Sequence, residues 1–217
     1  MIKTIPMYQY EYPRPAITVD IVLFGLDHLD LEVLLIKRKN DPFKNFWALP
    51  GGFLEMNETV IEGARRELKE ETDLTIDNLV EIHSFSAIDR DPRERIITVA
   101  HSALIRKECY KPKGADDAKE ARWFSLDRLP ELAADHLEII SQAHKRLKQL
   151  SWFTPLLQEV LPEKCTSSDL VNAYTSFHKE NFERTKLLER LHINENIISL
   201  GKDIYSFNDQ SFAKEFK

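Results

Sequence analysis

Cysteine is nearly absent. Cys109 and Cys165 are the only two in 217 residues, too few and too far apart for a disulfide framework or a zinc site, so both are expected to be ordinary thiols. Long apolar runs are missing as well. The N-terminal MIKTIPMYQYEYPRP has no apolar core of signal-peptide length, and the best run, Ala16 to Leu26, is interrupted by Asp20. Neither secretion nor a membrane span is indicated, and a cytoplasmic protein is expected. Positive charge is not in excess either. A net charge of -6 gives no global pull toward nucleic acid or anionic membrane, which leaves a small molecule or another protein as the default partner. Internal repeats and low-complexity tracts are lacking. The chain does hold 42% apolar and 30% charged residues, enough for one large or two small folded domains.

From Ala16 to Phe124 strand patterns surround one strong helix. AITVDIVLFG and LEVLLIKRK are β-branched and aliphatic runs joined by LDHLD, which suggests a hairpin or short loop; VEIHSFSAI, RIITVAHSALI and the short EARWF continue the series. The helix spans about Thr59 to Thr72. It opens with a capping-box spacing, Thr59 and Glu62, and carries Val60, Ile61, Ala64 and Leu68 as an apolar stripe for docking on a sheet. After Phe124 strands give way to helices. HLEIISQAHKRLKQL has Leu137, Ile140, Ala143 and Leu147 on one side and closes the first domain, and a boundary is expected near Trp152. Beyond it PLLQEVL, SDLVNAYTSFH and NFERTKLLERL are helical pieces, and NIISLGKDIYSFN gives two short strands about a Gly-Lys turn. The order suggests a winged-helix-like module, or another small α+β cap.

Six acidic residues lie between Glu55 and Glu71, directly behind Pro50-Gly51-Gly52. Glu67, Glu70 and Glu71 stand at i, i+3 and i+4, so a helix projects them from one face. Uncompensated like charge at that spacing costs a few tenths of a kcal/mol per pair on a solvated helix, and more where water is excluded. A hard divalent cation removes that cost, because Mg2+ and Mn2+ favour carboxylate oxygens. The glycine pair permits close backbone approach, and Arg66 can fix a neighbouring carboxylate. A solvated helix face is the alternative on these residues alone.

The segment as a whole resembles the Nudix box: Gly52, five residues, Glu58, seven residues, then Arg66-Glu67-Leu68-Lys69-Glu70-Glu71 and the aliphatic Leu74. The resemblance implies an α+β fold, an α/β/α sandwich with a mixed sheet. It also implies Mg2+- or Mn2+-dependent cleavage of the pyrophosphate in a nucleoside diphosphate linked to another group. Residue by residue it implies Glu67, Glu70 and Glu71 as metal ligands, a main-chain carbonyl at Gly51 or Gly52 as a further ligand, Glu67 as general base or its positioner, and Arg66 with Glu58 as a supporting pair. One position departs. Asp73 stands where the box carries glycine at a left-handed helix end, a conformation that Asp tolerates at a cost of about 1 kcal/mol or less.

The similarity extends past the box. TVDIVLFG, VLLIKRKNDPFKNFWALPGGF, AIDRDPRERIITVAHSALI, EARWFSLDRLPELAADHLEII and NFERTKLLERL with DIYSFN resemble the Nudix-related transcriptional regulators of NAD and sugar metabolism. This implies a Nudix domain over residues 1–152 that takes ADP-ribose or a related nucleotide sugar, and a winged-helix-like domain over 153–217 that binds operator DNA as a homodimer. Arg90 and Arg93, with Asp89, Asp91 and Arg95, lie in one loop that suits either phosphate recognition or a salt-bridged surface. Arg38, beside Lys37, is a second candidate phosphate contact, and Glu120 a candidate extra carboxylate. For DNA the candidates are Lys179, Arg184, Lys186 and Lys202. From Phe153 onward, however, eight basic residues face ten acidic ones, which is poor for phosphate binding. His101, His136 and His178 stand at no metal-ligand spacing and are expected to be structural. Two functions follow: a Nudix hydrolase acting on ADP-ribose or a similar nucleotide sugar, or a regulator that senses such a ligand.

Overall fold

Strand β1 (Ala16–Asp27) is the spine of the molecule, because its alternating side chains feed two cores on opposite faces. The computed structural model describes residues 10–27, 30–112 and 118–208. β1 pairs antiparallel with β2 (Asp30–Arg38) from Phe24 to Asp27, so LDHLD joins a hairpin whose two middle residues lie outside the described set. Two short strands that the sequence pattern does not signal follow, β3 (Trp47–Ala48) on β2 and β4 (Gly51–Phe53) on β1.

Helix α1 (Val60–Thr72) starts where its capping box predicts. The Thr59 side chain accepts the Glu62 N–H, and Glu62 reaches back to the Thr59 N–H at 2.8 Å. It ends at Asp73, whose backbone is left-handed at φ 61° and whose N–H bonds the Lys69 carbonyl. The sheet is completed by β5 (Val80–Phe85), β6 (Ile96–Arg106) and β7 (Ala118–Ser125) in the path β3-β2-β1-β6-β5, with β4 on β1 and β7 on β2. Among the described strand pairs only β1 and β6 run parallel, which makes the sheet mixed, and Trp47 adds an isolated parallel bridge to Leu132. Val19, Ile21 and Leu23 pack under Ala64 and Leu68 of α1. Val22, Phe24 and Leu26 face the other way, toward α2 (His136–Leu150). The result is the α/β/α arrangement.

On α2 the buried face is His136, Ile139, Ile140, Ala143 and Leu147. Leu137, expected on that face, is 59% exposed; the helix is turned to seat His136 against the sheet, and Ile139 takes the place assigned to Leu137. PLLQEVL forms a single 3-10 turn, Leu156–Glu159, because Pro155 and Pro162 bracket it and leave no room for an α-helix. Then come β8 (Cys165–Thr166), α3 (Ser167–His178), α4 (Arg184–Ile193), β9 (Ile197–Gly201) and β10 (Ile204–Phe207), with a small sheet in the order β8-β10-β9.

The expected boundary near Trp152 marks no break in packing. Leu157, Leu170, Tyr174, Phe177, Leu187 and Leu191 belong to the same apolar cluster as Val22, Phe24, Leu31 and the buried face of α2. Polar links cross the same seam. His144 bonds the Phe177 carbonyl at 2.6 Å, Lys148 donates to the His178 carbonyl at 2.8 Å, and the Tyr174 hydroxyl donates to the Ser151 carbonyl at 3.0 Å. Among the described residues no helix is long and apolar enough to cross a membrane.

Candidate active site

The site forms where β4 hands the chain to the loop before α1. Asp20 pairs with Gly51 and Val19 with Gly52 across β1 and β4. This close approach explains both glycines: a Cβ on Gly51 would collide with the Val19 carbonyl oxygen, and one on Gly52 with the Glu67 carboxylate. Gly51 N–H donates to Glu71 Oε2 at 2.9 Å, tying the turn to the helix behind it.

Arg66 organises the helix face. Its Nε and Nη2 fork onto the two oxygens of Glu58 at 2.9 and 2.6 Å, its Nη1 reaches Glu67 at 2.7 Å and Glu70 at 3.2 Å, and Nη2 also donates to the Phe53 carbonyl. One cation thus stands among three carboxylates. The Arg66 hydrogen bond holds Glu58 below the usual carboxylate range. Burial dominates at the other two inner glutamates. It raises Glu67 against the pull of Arg66, and it raises Glu71 to about 8, with Glu67 and Asp20 adding to the shift while Gly51 N–H and Arg38 oppose it.

Among the described residues no three acidic, histidine or cysteine side chains already converge on a metal-sized space. Arg66 stands between Glu67 and Glu70, and Glu71 is turned to Gly51. The donor chemistry still suits a hard divalent cation, since three carboxylates on one helical turn lie beside a turn whose Gly52 leaves the Glu67 carboxylate its room. Closing around an ion requires Glu67 and Glu70 to turn from Arg66.

Residues 14–143 match the NUDIX domain family. This chain belongs to the NUDIX family. Among its relatives is an ADPR responsive transcriptional repressor, NtrR, of Acinetobacter baylyi, 34% identical over 185 residues that cover 83% of this chain and 74% of that protein. Another is an ADP-ribose pyrophosphatase of Methanocaldococcus jannaschii, 46% identical over 129 residues, 59% of this chain and 73% of that one. Two solved structures are similar along nearly the whole length. A MutT/nudix family protein from Enterococcus faecalis matches with a TM-score of 0.82 at 32% identity, covering 93% of this chain and 90% of its own. Shewanella oneidensis NrtR complexed with a 27mer DNA matches with a TM-score of 0.74 at 26% identity, covering 91% and 95%. The mixed sheet with helices on both faces is the Nudix fold, and Nudix hydrolases generally use divalent metals.

Around the Nudix box the other expected residues divide. Arg93 comes to the site, with its guanidinium 5.2 Å from the Phe53 ring centre and paired to Asp91 at 2.8 Å. Arg38 is half-buried, donates to the Pro42 carbonyl at 3.0 Å and lies close enough to Glu71 to lower its pKa. Glu120 is only partly buried and pairs with Arg122 at 3.5 Å. Arg90 takes the salt-bridged alternative for its loop, although buried and not at the surface. Its side chain is 5% exposed, and its Nε and Nη2 fork onto Asp135 at 2.9 and 2.8 Å with Asp20 at 3.5 Å, so the loop is pinned to the start of α2. Of the DNA candidates, Lys179 is held by Asp30 and Asp127 at 3.2 and 2.8 Å, and Arg184 by Asp203 at 2.8 Å; Lys186 and Lys202 are exposed. His101 and His178 are buried in the fold, as is His136.

Two residues of the site's support escaped sequence reasoning, Asp20 and Asp135; His136, expected to be structural, is placed by the fold beside them. A signal existed for the first. Asp20 is the one charge inside the apolar run of β1, and a buried carboxylate demands a partner.

Proposed function

We propose that this protein is a cytoplasmic Nudix pyrophosphohydrolase that cleaves ADP-ribose or a closely related nucleoside diphosphate sugar with Mg2+ or Mn2+. The observation that carries this reading is the intact carboxylate set against the glycine turn: Glu67 lies on Gly52, Glu71 bonds Gly51 N–H, and Glu58 with Arg66 braces the loop. Glu67, Glu70 and Glu71, with a carbonyl at Gly51 or Gly52, would hold the ion. A bound divalent ion lowers the pKa of water and offsets the charge that grows on phosphoryl oxygens. Glu67, whose carboxylate lies against Gly52 at the turn, is the group placed to take the water's proton or to position the one that does. Glu58 and Arg66 position and do not touch substrate. Arg93 and Arg38 supply phosphate contacts, and Glu120 is a further candidate for substrate contact.

Phosphate-bond cleavage is to be measured on ADP-ribose, NADH, diadenosine polyphosphates and nucleoside triphosphates with Mg2+ and Mn2+. Turnover of ADP-ribose, abolished in Glu71→Gln, supports the reading; no turnover across the panel overturns it.

A second reading, with a Nudix domain over 1–152 and a winged-helix-like domain over 153–217, is favoured by the packing of α3, α4 and the β9–β10 hairpin into the core they share with the sheet. In it the protein is a homodimeric regulator that binds operator DNA through Arg184, Lys186 and Lys202 and responds to the nucleotide ligand. Lys179 is left out, since two aspartates hold it and 28% of its side chain is exposed, against 56% for Arg184 with its single aspartate. A gel shift on the protein's own upstream region, with and without ADP-ribose, separates the two readings.

A further inference from the structure

The backbone from Trp47 to Gly52 is anchored from four sides. Trp47 exchanges bonds with segment 131–133, its N–H to the Glu131 carbonyl at 3.2 Å and its carbonyl to the Ala133 N–H at 2.8 Å. The Pro50 carbonyl accepts the Ile21 N–H at 2.8 Å, and Gly51 N–H goes to Glu71 at 2.9 Å. The fourth anchor is His136, whose Nδ1 accepts the buried Leu49 N–H at 2.8 Å across 87 positions of sequence.

Two of these anchors are side chains, and they differ in kind. Glu71 is itself a carboxylate assigned to the ion, so an oxygen that turns to a cation is no longer fixed on Gly51. His136 has no such second duty. An amide that donates to Nδ1 requires a lone pair there, which places the ring proton of the neutral imidazole on Nε2, facing Asp20 Oδ1 at 3.9 Å. The ring's setting is rigid. His136 is the first residue of α2, the preceding Asp135 is clamped by the buried Arg90, and Asp20 lies on the strand paired with Gly51.

We propose that His136 is a positioning residue for the cation site: by holding the Leu49 N–H it sets the course of the Pro50-Gly51-Gly52 backbone and thereby the direction of the main-chain carbonyl that completes the ligand set. The inference rests on the metal-dependent reading above. It goes further by assigning an outer-shell role to a residue on the opposite helix, 65 positions beyond Glu71. Outer-shell partners that aim a ligand change metal affinity by about 10–100-fold when removed.

The test uses the full chain and Mn2+ alone, titrated by calorimetry, with a thermal melt of each metal-free protein alongside. His136→Leu and His136→Ala remove the acceptor, whereas His136→Asn restores an oxygen near the place of Nδ1. Mn2+ affinity should fall about 10-fold or more in Leu and Ala and return to within about threefold of wild type in Asn, even where all three melts drop together. Wild-type affinity in the Leu and Ala variants overturns the inference, as does an Asn variant as weak as they are. A wild-type protein that binds no Mn2+ overturns the metal-dependent hydrolase reading and this role with it; wild-type binding with unaffected variants overturns this role alone.

Discussion

Arg66 grips Glu58, eight positions earlier in the chain, with two parallel hydrogen bonds 2.9 and 2.6 Å long that tie the box loop to its helix. The pair is partly shielded, at 24% and 11% side-chain exposure, so it is worth more than a surface ion pair. Arg66→Lys keeps the charge but cannot fork. Both Arg66→Lys and Glu58→Gln should lower the melting temperature by a few degrees. The double variant should be less destabilised than the sum, with a coupling of about 1–3 kcal/mol in a denaturant-melt cycle. Strict additivity would dissolve the clamp.

Glu70→Gln and Glu71→Gln should reduce ADP-ribose turnover by orders of magnitude, because the stabilisation lost appears mainly at the transition state. Metal-free ADP-ribose affinity, measured by calorimetry, should change little. A Glu71→Gln protein that no longer binds the ligand without metal would contradict this division between helix and loop.

The two loop arginines should behave oppositely. Arg90 is buried on Asp135, and removing one member of a buried pair leaves a bare charge, so Arg90→Ala should cost about 3–5 kcal/mol of stability. Arg93 has 40% of its side chain exposed. Arg93→Ala should leave the melt within about 1 kcal/mol of wild type and raise KM for ADP-ribose more than it lowers kcat. Equal melts for the two variants would remove the distinction.

His178 contributes to the pH dependence of stability, in the same direction as His101, His136 and His144. Burial, helped by Lys148, lowers its pKa to about 4, and the ring bonds the Ser151 hydroxyl at 2.8 Å. The unfolded chain takes up a proton near the ordinary histidine value of about 6.5, whereas the folded chain does so only near 4. The unfolded state therefore binds more protons in that interval, and stability present above about pH 6.5 is lost as pH falls toward 4. His178→Gln should flatten this slope in urea melts at pH 7, 6 and 5. An unchanged slope would assign the acid sensitivity to other groups.

Much of the site was legible because its contacts are local. Glu67, Glu70 and Glu71 share a face through the helical repeat alone, Thr59 and Glu62 cap the helix they precede, and Asp73 adopts the left-handed end that the box position calls for. In the C-terminal part α3, α4 and the β9–β10 hairpin were legible for the same reason, while the helix expected in PLLQEVL is a 3-10 turn and β3, β4 and β8 gave no signal: two- and three-residue strands leave no periodicity, and only their pairing defines them.

By itself the sequence determined the helix, its caps and the carboxylate spacing, since each follows from neighbours within a few residues. Only the tertiary structure decided which distant partner each polar group took, whether buried like Arg90 or exposed like Lys179. Arg90 met Asp135 across 45 positions, Leu49 N–H met His136 across 87, and Lys179 met Asp30 across 149. A guanidinium, an imidazole or an ammonium accepts many partners, and burial punishes having none. Which one it finds depends on how the strands and α2 cross.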